Sequence, residues 1–195
     1  MPVRGQYAKG IAKREEILDV ALELFTKKGY DRTSVREIAR LAGLSQAGLL
    51  HHFSTKEELF IEVLRRRDVR NREEFSSSQD DPNSISRLVS IVRRNMTQPG
   101  LVRLYVTMSA ESTDVDSTAR SFFEERYRSL RAEVATDVRK KQKLGELSAE
   151  LDPDAVASLL IAAADGLQIQ WLLEPDGPDM GVLMEQLWTA LRHVP

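Results

Sequence analysis

Three observations predict an all-α protein. Apolar residues recur at helical spacing along successive stretches of the 195-residue chain. The breaks between those stretches fall at Gly, Pro, Asn and Asp clusters. The composition pairs many Leu, Ala, Arg and Glu residues with only 10 Gly and 6% aromatics. Together they divide the chain into an N-terminal three-helix domain at residues 1–54, with an arm at residues 1–12, and a larger helical domain at residues 55–195. About nine helices are expected, with no internal repeat and no convincing strand.

The first helix, from about Lys13 to Lys28, places Ile17, Leu18, Ala21, Leu24 and Phe25 on one face as the core of the N-terminal domain. Thr33 stands where an N-cap belongs, ahead of a second helix that carries Val35, Ile38, Ala39 and Leu41. That helix is predicted to end at Gly43, because glycine adopts the left-handed conformation cheaply. Ser45 then caps a third helix, so Gly43, Leu44 and Ser45 form the turn and Leu44 fills the corner. Ala39, four residues before Gly43, is small enough for the two helices to cross steeply. This pattern is a helix-turn-helix. An ordinary helical hairpin is the competing reading, but here caps, turn and packing agree at every position.

On the third helix Leu49 and Phe53 turn inward, while Gln46, Ala47, Gly48, His51 and His52 face outward. Such a small-residue face is weak by helix propensity, and close approach to a DNA groove is one reason to favour it. Gln46 is the candidate base reader, since its amide matches the donor and acceptor pair of adenine in the major groove. Ser54 and Thr55, followed by Glu57 and Glu58, form overlapping capping boxes, and Lys56 sits at the new N-terminus, a good place for a phosphate.

The chain resembles the TetR family of bacterial transcription regulators from about Lys13 to Lys28 and then through GYDRTSVREIARLAGLSQAGLLHHFSTKEELF, Gly29 to Phe60. The resemblance implies a DNA-contacting set of Thr33, Ser34, Arg36, Ser45, Gln46, Ala47, Gly48, Leu50, His51, His52 and Lys56. Leu50 departs from the pattern, because the family usually has an aromatic there, commonly tyrosine. The tyrosine hydroxyl contact is absent, and Leu50 either touches a thymine methyl or packs. At His52 the family often has tyrosine or histidine.

A fourth helix from Thr55 to about Phe75 starts with Leu59, Phe60, Val63 and Leu64 and ends in the run RRRDVRNREE, which reads as a solvated helix face. A polar loop, Ser76 to Ser84, follows. Five more helices are expected at Ser84 to Thr97, Leu101 to Ser112, Asp116 to Lys143, Pro153 to Leu173 and Asp179 to His193. The fourth of these is apolar almost all round, with Val156, Leu159, Leu160, Ala163, Leu167 and Trp171 on one stripe and Ile161, Ala162, Ile169, Leu172 and Leu173 on another. Such a helix must be covered on both sides. With Leu183, Met184, Leu187, Trp188 and Leu191 of the last helix it forms a candidate four-helix dimer interface, expected at Leu159, Leu160, Ala163, Leu167, Leu183, Leu187, Trp188 and Leu191. Burial within one domain is the alternative. A membrane span is disfavoured by Asp165, which costs about 2.5 to 3.5 kcal/mol at the centre of a bilayer.

For the middle helices the resemblance implies a small-molecule effector pocket. Its candidate lining is Met96, Leu104, Tyr105, Met108, Phe122, Phe123, Tyr127 and Trp171, each of which serves equally as plain core. Arg103, Glu111 and Arg126 would select a charged ligand or simply cover exposed faces. No cofactor and no metal is implied.

The formal net charge of −2 hides a segregation. From Met1 to Lys56 there are ten Lys and Arg against six Asp and Glu, a net of +4; from Leu144 to Pro195 there is one against nine, a net of −8. The basic end suits phosphate contact with a steep salt dependence. Arg4, Lys9, Lys13 and Arg14 make the arm basic, either touching the DNA backbone or a minor groove, or simply solvated. With no cysteine, thiolate metal sites, disulfides and a cysteine nucleophile are excluded, and a cytoplasmic location is expected. The three histidines lack metal-ligand spacing and no nucleophile elbow or phosphate loop is present, so catalysis is not expected. The expected protein is a homodimeric regulator binding double-stranded DNA at a palindrome, released by a small molecule. The alternative is a nucleoid-type protein binding DNA without sequence preference.

Overall fold

The computed structural model describes residues 3–30, 32–76 and 84–193. Over the described residues the chain forms nine helices and no strand: α1 (Val3–Lys28), α2 (Val35–Leu41), α3 (Gln46–His52), α4 (Lys56–Ser76), α5 (Ser84–Asn95), α6 (Pro99–Glu111), α7 (Arg120–Lys143), α8 (Pro153–Leu173) and α9 (Met180–Arg192). The loop expected between Ser76 and Ser84 falls largely outside the described residues.

Caps explain most of the boundaries. Ser34, Ser45, Asp152 and Asp179 each accept a backbone N–H from the first turn of the helix that follows. This satisfies donors that the helix itself leaves unpaired. Thr55 accepts from Glu58 N at 3.0 Å while Glu58 accepts from Ser54 N at 2.7 Å, the reciprocal capping box expected ahead of α4.

Three boundaries differ from expectation. The arm at residues 1–12 is helical from Val3, continuous with α1, with residues 8–12 exposed; the side chain of Arg4 lies outside the described residues. α6 starts at Pro99 rather than Leu101, since proline needs no N–H in a first turn. α7 starts at Arg120 rather than Asp116, because Asp114 turns the chain first, accepting from Asp116 N through its carboxylate and from Ser117 N through its carbonyl.

Two apolar cores carry the packing. The first joins α1 to α4 through Ile17, Phe25, Ile38, Leu49, Phe53 and Phe60, and continues without a break into Leu101, Leu104, Tyr105 and Met108 of α6 and Phe122 and Phe123 of α7. The reading head and the larger domain therefore share one core across the boundary at residues 54 and 55. Gly100 shows how close they come: a Cβ built there would lie 1.8 Å from the Thr26 carbonyl oxygen, so the first turn of α6 rests directly on the last turn of α1. The second core joins α5, α7, α8 and α9 through Val89, Val134, Val138, Leu160, Trp171 and Met184.

On α8 one residue of the expected dimer contact, Leu160, is taken up by its own protomer, where it is fully buried. Ala163 and Leu167 are half-buried against the same core. The most exposed apolar positions are Leu159, Ala162, Ile169 and Leu173, with half-buried Gly166 completing a row spaced alternately by three and four residues; Leu159 is 61% and Leu173 82% exposed. On α9, Leu183, Leu187, Trp188 and Leu191 are half-buried and Val182 is exposed. α8 is long and apolar enough to cross a membrane, yet its inner side, through Val156, Leu160, Ala164 and Trp171, is packed in the second core.

Candidate nucleic-acid interface and effector cavity

The turn between α2 and α3 is built as its residues predict. Gly43 has φ of 65°, Leu44 N donates to Ala39 O at 2.8 Å, and Ala39, Ala42, Leu49 and Phe53 are buried behind it. Gln46, Ala47, Leu50 and His51 are exposed along the outer face of α3, and His52 is half-buried. Gln46 has no hydrogen-bond partner among the described residues, so its amide is available to a base edge. Arg36 is exposed on α2 beside this face, while Ser34 and Ser45 use their hydroxyls as caps at 3.1 and 3.0 Å.

Three residues of the expected contact set are placed differently. Thr33 is buried and donates to the Gly29 carbonyl at 2.8 Å, so Ser34 is the cap and Thr33 is a structural residue behind it. Gly48 is half-buried toward the turn, where a Cβ would lie 3.3 Å from Ser45 Oγ; its small size serves the cap. Lys56 donates to the Tyr30 carbonyl at 2.6 Å and lies 3.9 Å from the Tyr30 ring centroid, which ties the start of α4 to the end of α1. The Tyr30 hydroxyl completes that knot by donating to Glu57 at 2.7 Å. Burial opposes ionisation of Glu57, but this and neighbouring hydrogen bonds hold its pKa below the usual carboxylate value. Lys13 and Arg14 are likewise turned inward: Lys13 donates to Ala42 O at 2.8 Å, and Arg14 donates to His52 O at 2.7 Å while stacking 4.1 Å from the Phe53 ring. They brace the reading head from behind. Lys9 is exposed.

Above the head, a cavity of about 50 Å³ opens between α4, α5, α6, α7 and α8. Of the eight residues expected to line a pocket, Tyr105 reaches it and Tyr127 lines an adjoining groove of about 260 Å³. Leu104, Met108, Phe122 and Phe123 belong to the first core, and Met96 and Trp171 pack in the second, because apolar side chains of that size fill helix crossings. Arg103 and Glu111 are exposed.

The cavity is lined instead by charge. Arg126 Nε donates to Asp68 at 2.8 Å and Arg126 Nη1 to the Tyr105 hydroxyl at 3.1 Å. The Tyr105 hydroxyl also lies 3.3 Å from Asp165, and Tyr127 donates to Asp165 at 2.7 Å. Arg67 donates to the side-chain carbonyl of Asn95. Burial pushes the Arg67 guanidinium down to about 10, despite the help of Asp68, and pushes the Tyr105 phenol up to about 12. Tyr127 and Asp165 are raised for the same reason. Burial alone would lower Arg126, but Tyr105 and Asp68 hold it above its ordinary value.

Arg67, Asp68 and Asn71 correct the reading of RRRDVRNREE as a solvated face, since they point into the cavity at helical spacing. One residue earlier, Arg66 points the other way and pairs with Glu15 at 3.1 Å and Asp19 at 2.7 Å on α1. Successive residues of α4 thus hold the reading head and the cavity. The signal that could have revealed this was Asp165, a lone carboxylate inside an apolar helix, which calls for polar partners on its neighbours.

Known proteins match both halves of this arrangement. Residues 17–63 match the model of bacterial regulatory proteins of the tetR family, and residues 85–194 match the C-terminal domain of BetI-type transcriptional repressors. The transcriptional regulator TtgR of Pseudomonas putida is 28% identical over 86% of this chain and 83% of its own length. QacR of Staphylococcus aureus is 41% identical, but over 34% of this chain and 35% of its own length. A solved transcriptional regulator from Saccharomonospora viridis, in complex with choline, superposes with a TM-score of 0.71 at 28% identity, covering 92% of this chain and 95% of that one. A TetR-family regulator from Rhodococcus sp. superposes at 0.73 with 21% identity, over 92% and 98% of the two chains, a likeness of fold. With a helix-turn-helix open to solvent, a charged cavity behind it and family models matching both domains, the chain belongs to the TetR family of bacterial transcriptional regulators.

Proposed function

We propose that this protein is a cytoplasmic, homodimeric repressor that reads a palindromic operator through α3 and is released by a small molecule held in the cavity between α4 and α8. The observation that carries the reading is the open outer face of α3, where Gln46, Ala47, Leu50 and His51 are exposed while Leu49 and Phe53 anchor the helix from behind. The dimer is supported by the ridge of Leu159, Ala162, Gly166, Ile169 and Leu173, whose alternation of three and four residues suits a helix packed against its symmetry mate. A twofold axis there would set two reading helices about one DNA turn apart, or a small multiple of it.

Release follows from the two-sided use of α4. A ligand shifts DNA binding only by its difference in affinity between two arrangements. A ligand that draws on Arg67 or Asp68 moves the helix whose Arg66 grips α1, and so acts on the head through packed and ion-paired contacts.

Genomic fragments selected on the purified protein, followed by gel shifts against unrelated competitor DNA, test the reading. A regulator discriminates between sites, whereas a nucleoid-type protein retains only the salt dependence. Gln46→Ala should relax base preference at one position per half-site, at a cost of about 1 to 3 kcal/mol on the preferred base. Equal weakening on every sequence would remove Gln46 from the readers.

A further inference from the structure

The cavity holds two matched charges and two unmatched ones. Asp68 and Arg126 neutralise each other through two contacts, at 2.8 and 3.4 Å. Arg67 has no carboxylate within ion-pair distance; among the described residues its hydrogen-bond partner is the neutral amide of Asn95. Asp165 has no cation within ion-pair distance, and its partners are the neutral phenols of Tyr105 and Tyr127. Both unmatched groups line the same cavity. Gln168, only 6% exposed, lines it as well.

Arg67 and Asp165 are both partly withdrawn from solvent, and a charge withdrawn from water without a countercharge is costly unless something else completes it. From this we infer that the effector is a zwitterion, setting an anionic group against Arg67 and a cationic group against Asp165. The inference rests on the cavity being the effector site. A lone cation would satisfy Asp165 and leave Arg67 beside added positive charge; a lone anion would do the reverse. Only a molecule with both charges completes both ends while keeping the cavity neutral. Leu88, Ile91 and Ile161 provide the apolar wall for the carbon skeleton between the charges.

The present cavity, about 50 Å³, has room for a few waters and none for an organic ligand. The side that must open is at Asp165, because the 260 Å³ groove shares Asp165 and Ile161 with the cavity and Tyr127 lines that groove. The cationic group of the ligand would thus replace the Tyr127 hydroxyl on Asp165 as it enters.

Calorimetric titration of the full-length protein with trimethylglycine, carnitine and γ-aminobutyrate, against choline and isovalerate as single-charge controls, tests the class. At least one zwitterion should bind about tenfold more tightly than either control, the value of one charge-assisted hydrogen bond. Arg67→Gln should abolish the preference over choline, and Asp165→Asn the preference over isovalerate, with thermal unfolding confirming that both variants fold. Arg67→Lys, which keeps the charge, should retain part of the preference. Choline or isovalerate binding as tightly as the best zwitterion, or no binding by any zwitterion, overturns the class. A zwitterion whose binding ignores Arg67→Gln, Asp165→Asn and the cavity-filling Ala164→Phe overturns the cavity as the effector site.

Discussion

The helix-turn-helix and the charged cavity behind it put polar groups to opposite uses. In the head, hydroxyls and backbone N–H groups meet over three residues, as Ser34 does with Glu37 and Ser45 with Gly48, and the side chains meant for a partner stay in solvent. In the cavity, the pairs span 58 residues from Asp68 to Arg126 and 60 from Tyr105 to Asp165, and the charges are partly buried. Local bonds give a surface shape at little cost in desolvation. Long-range pairs withdrawn from solvent cost more if broken, because the partner left behind keeps part of its desolvation penalty.

Substitutions should separate the two regions, beginning with the costliest. Asp68→Ala leaves the partly buried Arg126 guanidinium without its carboxylate and should destabilise the protein by about 1.5 to 3 kcal/mol in urea unfolding. A loss as small as that of a surface pair would show that the cavity tolerates charge as the head does. Gly100→Ala, at the joint of the two regions, should cost about 1 to 3 kcal/mol, since the new Cβ meets the backbone of Thr26 and one of the helices must shift. It should also weaken the coupling between effector and operator, measured as the change in operator affinity at saturating ligand. Ser45→Ala in the head should cost only about 1 kcal/mol of stability, the value of an N-cap, while lowering operator affinity because α3 starts less firmly. Global unfolding by this substitution would put the head on the same footing as the cavity.

The smallest effects are changes of slope with pH. Asp165 is raised above its unfolded value by burial, so the stability it contributes is complete below that unfolded value and is lost as pH rises through the folded one. Asp165→Asn should remove this part of the acid-side slope in unfolding measured across pH. Tyr105 behaves likewise at the alkaline end: its contribution is full below 10 and lost between 10 and about 12. Spectrophotometric titration of the native protein should therefore show delayed phenol ionisation that reaches its ordinary position on unfolding. Normal titration of all four tyrosines in the native state would contradict the buried cluster.

Legibility followed the same divide. The capping hydroxyl of Ser45, the left-handed Gly43, the buried Leu49 and Phe53 and the capping box at Thr55 were all visible in the sequence, because each depends on neighbours within a few positions. Thr33 was misplaced by one residue, since Ser34 beside it has an equally good cap hydroxyl and only the packing of Thr33 onto Gly29 decides between them. Lys13, Arg14 and Lys56 read as cations for DNA but are drawn onto the carbonyls of Ala42, His52 and Tyr30. No local pattern announces which exposed carbonyl will lie within reach of a long flexible side chain. Among the aromatic and methionine residues expected around the ligand, Met96, Met108, Phe122, Phe123 and Trp171 are core while Tyr105 and Tyr127 reach the cavity and its groove, and the run expected as a solvated face turns Arg67, Asp68 and Asn71 into that cavity.

The one-dimensional pattern by itself determined the helices, the turn that sets α3 across α2 and the basic character of the DNA-facing end, because capping, helical periodicity and glycine conformation act between residues close along the chain. Tertiary structure alone decided that Leu160 is core while Leu159 is surface, that Gly100 must admit the backbone of Thr26, and that Arg67 and Asp165 share a cavity. Those outcomes depend on how helices far apart in sequence are rotated about their axes against one another. A helix apolar on every side, or charged on every side, carries no local instruction for that rotation; it is set only when all the side chains at the crossing are packed together.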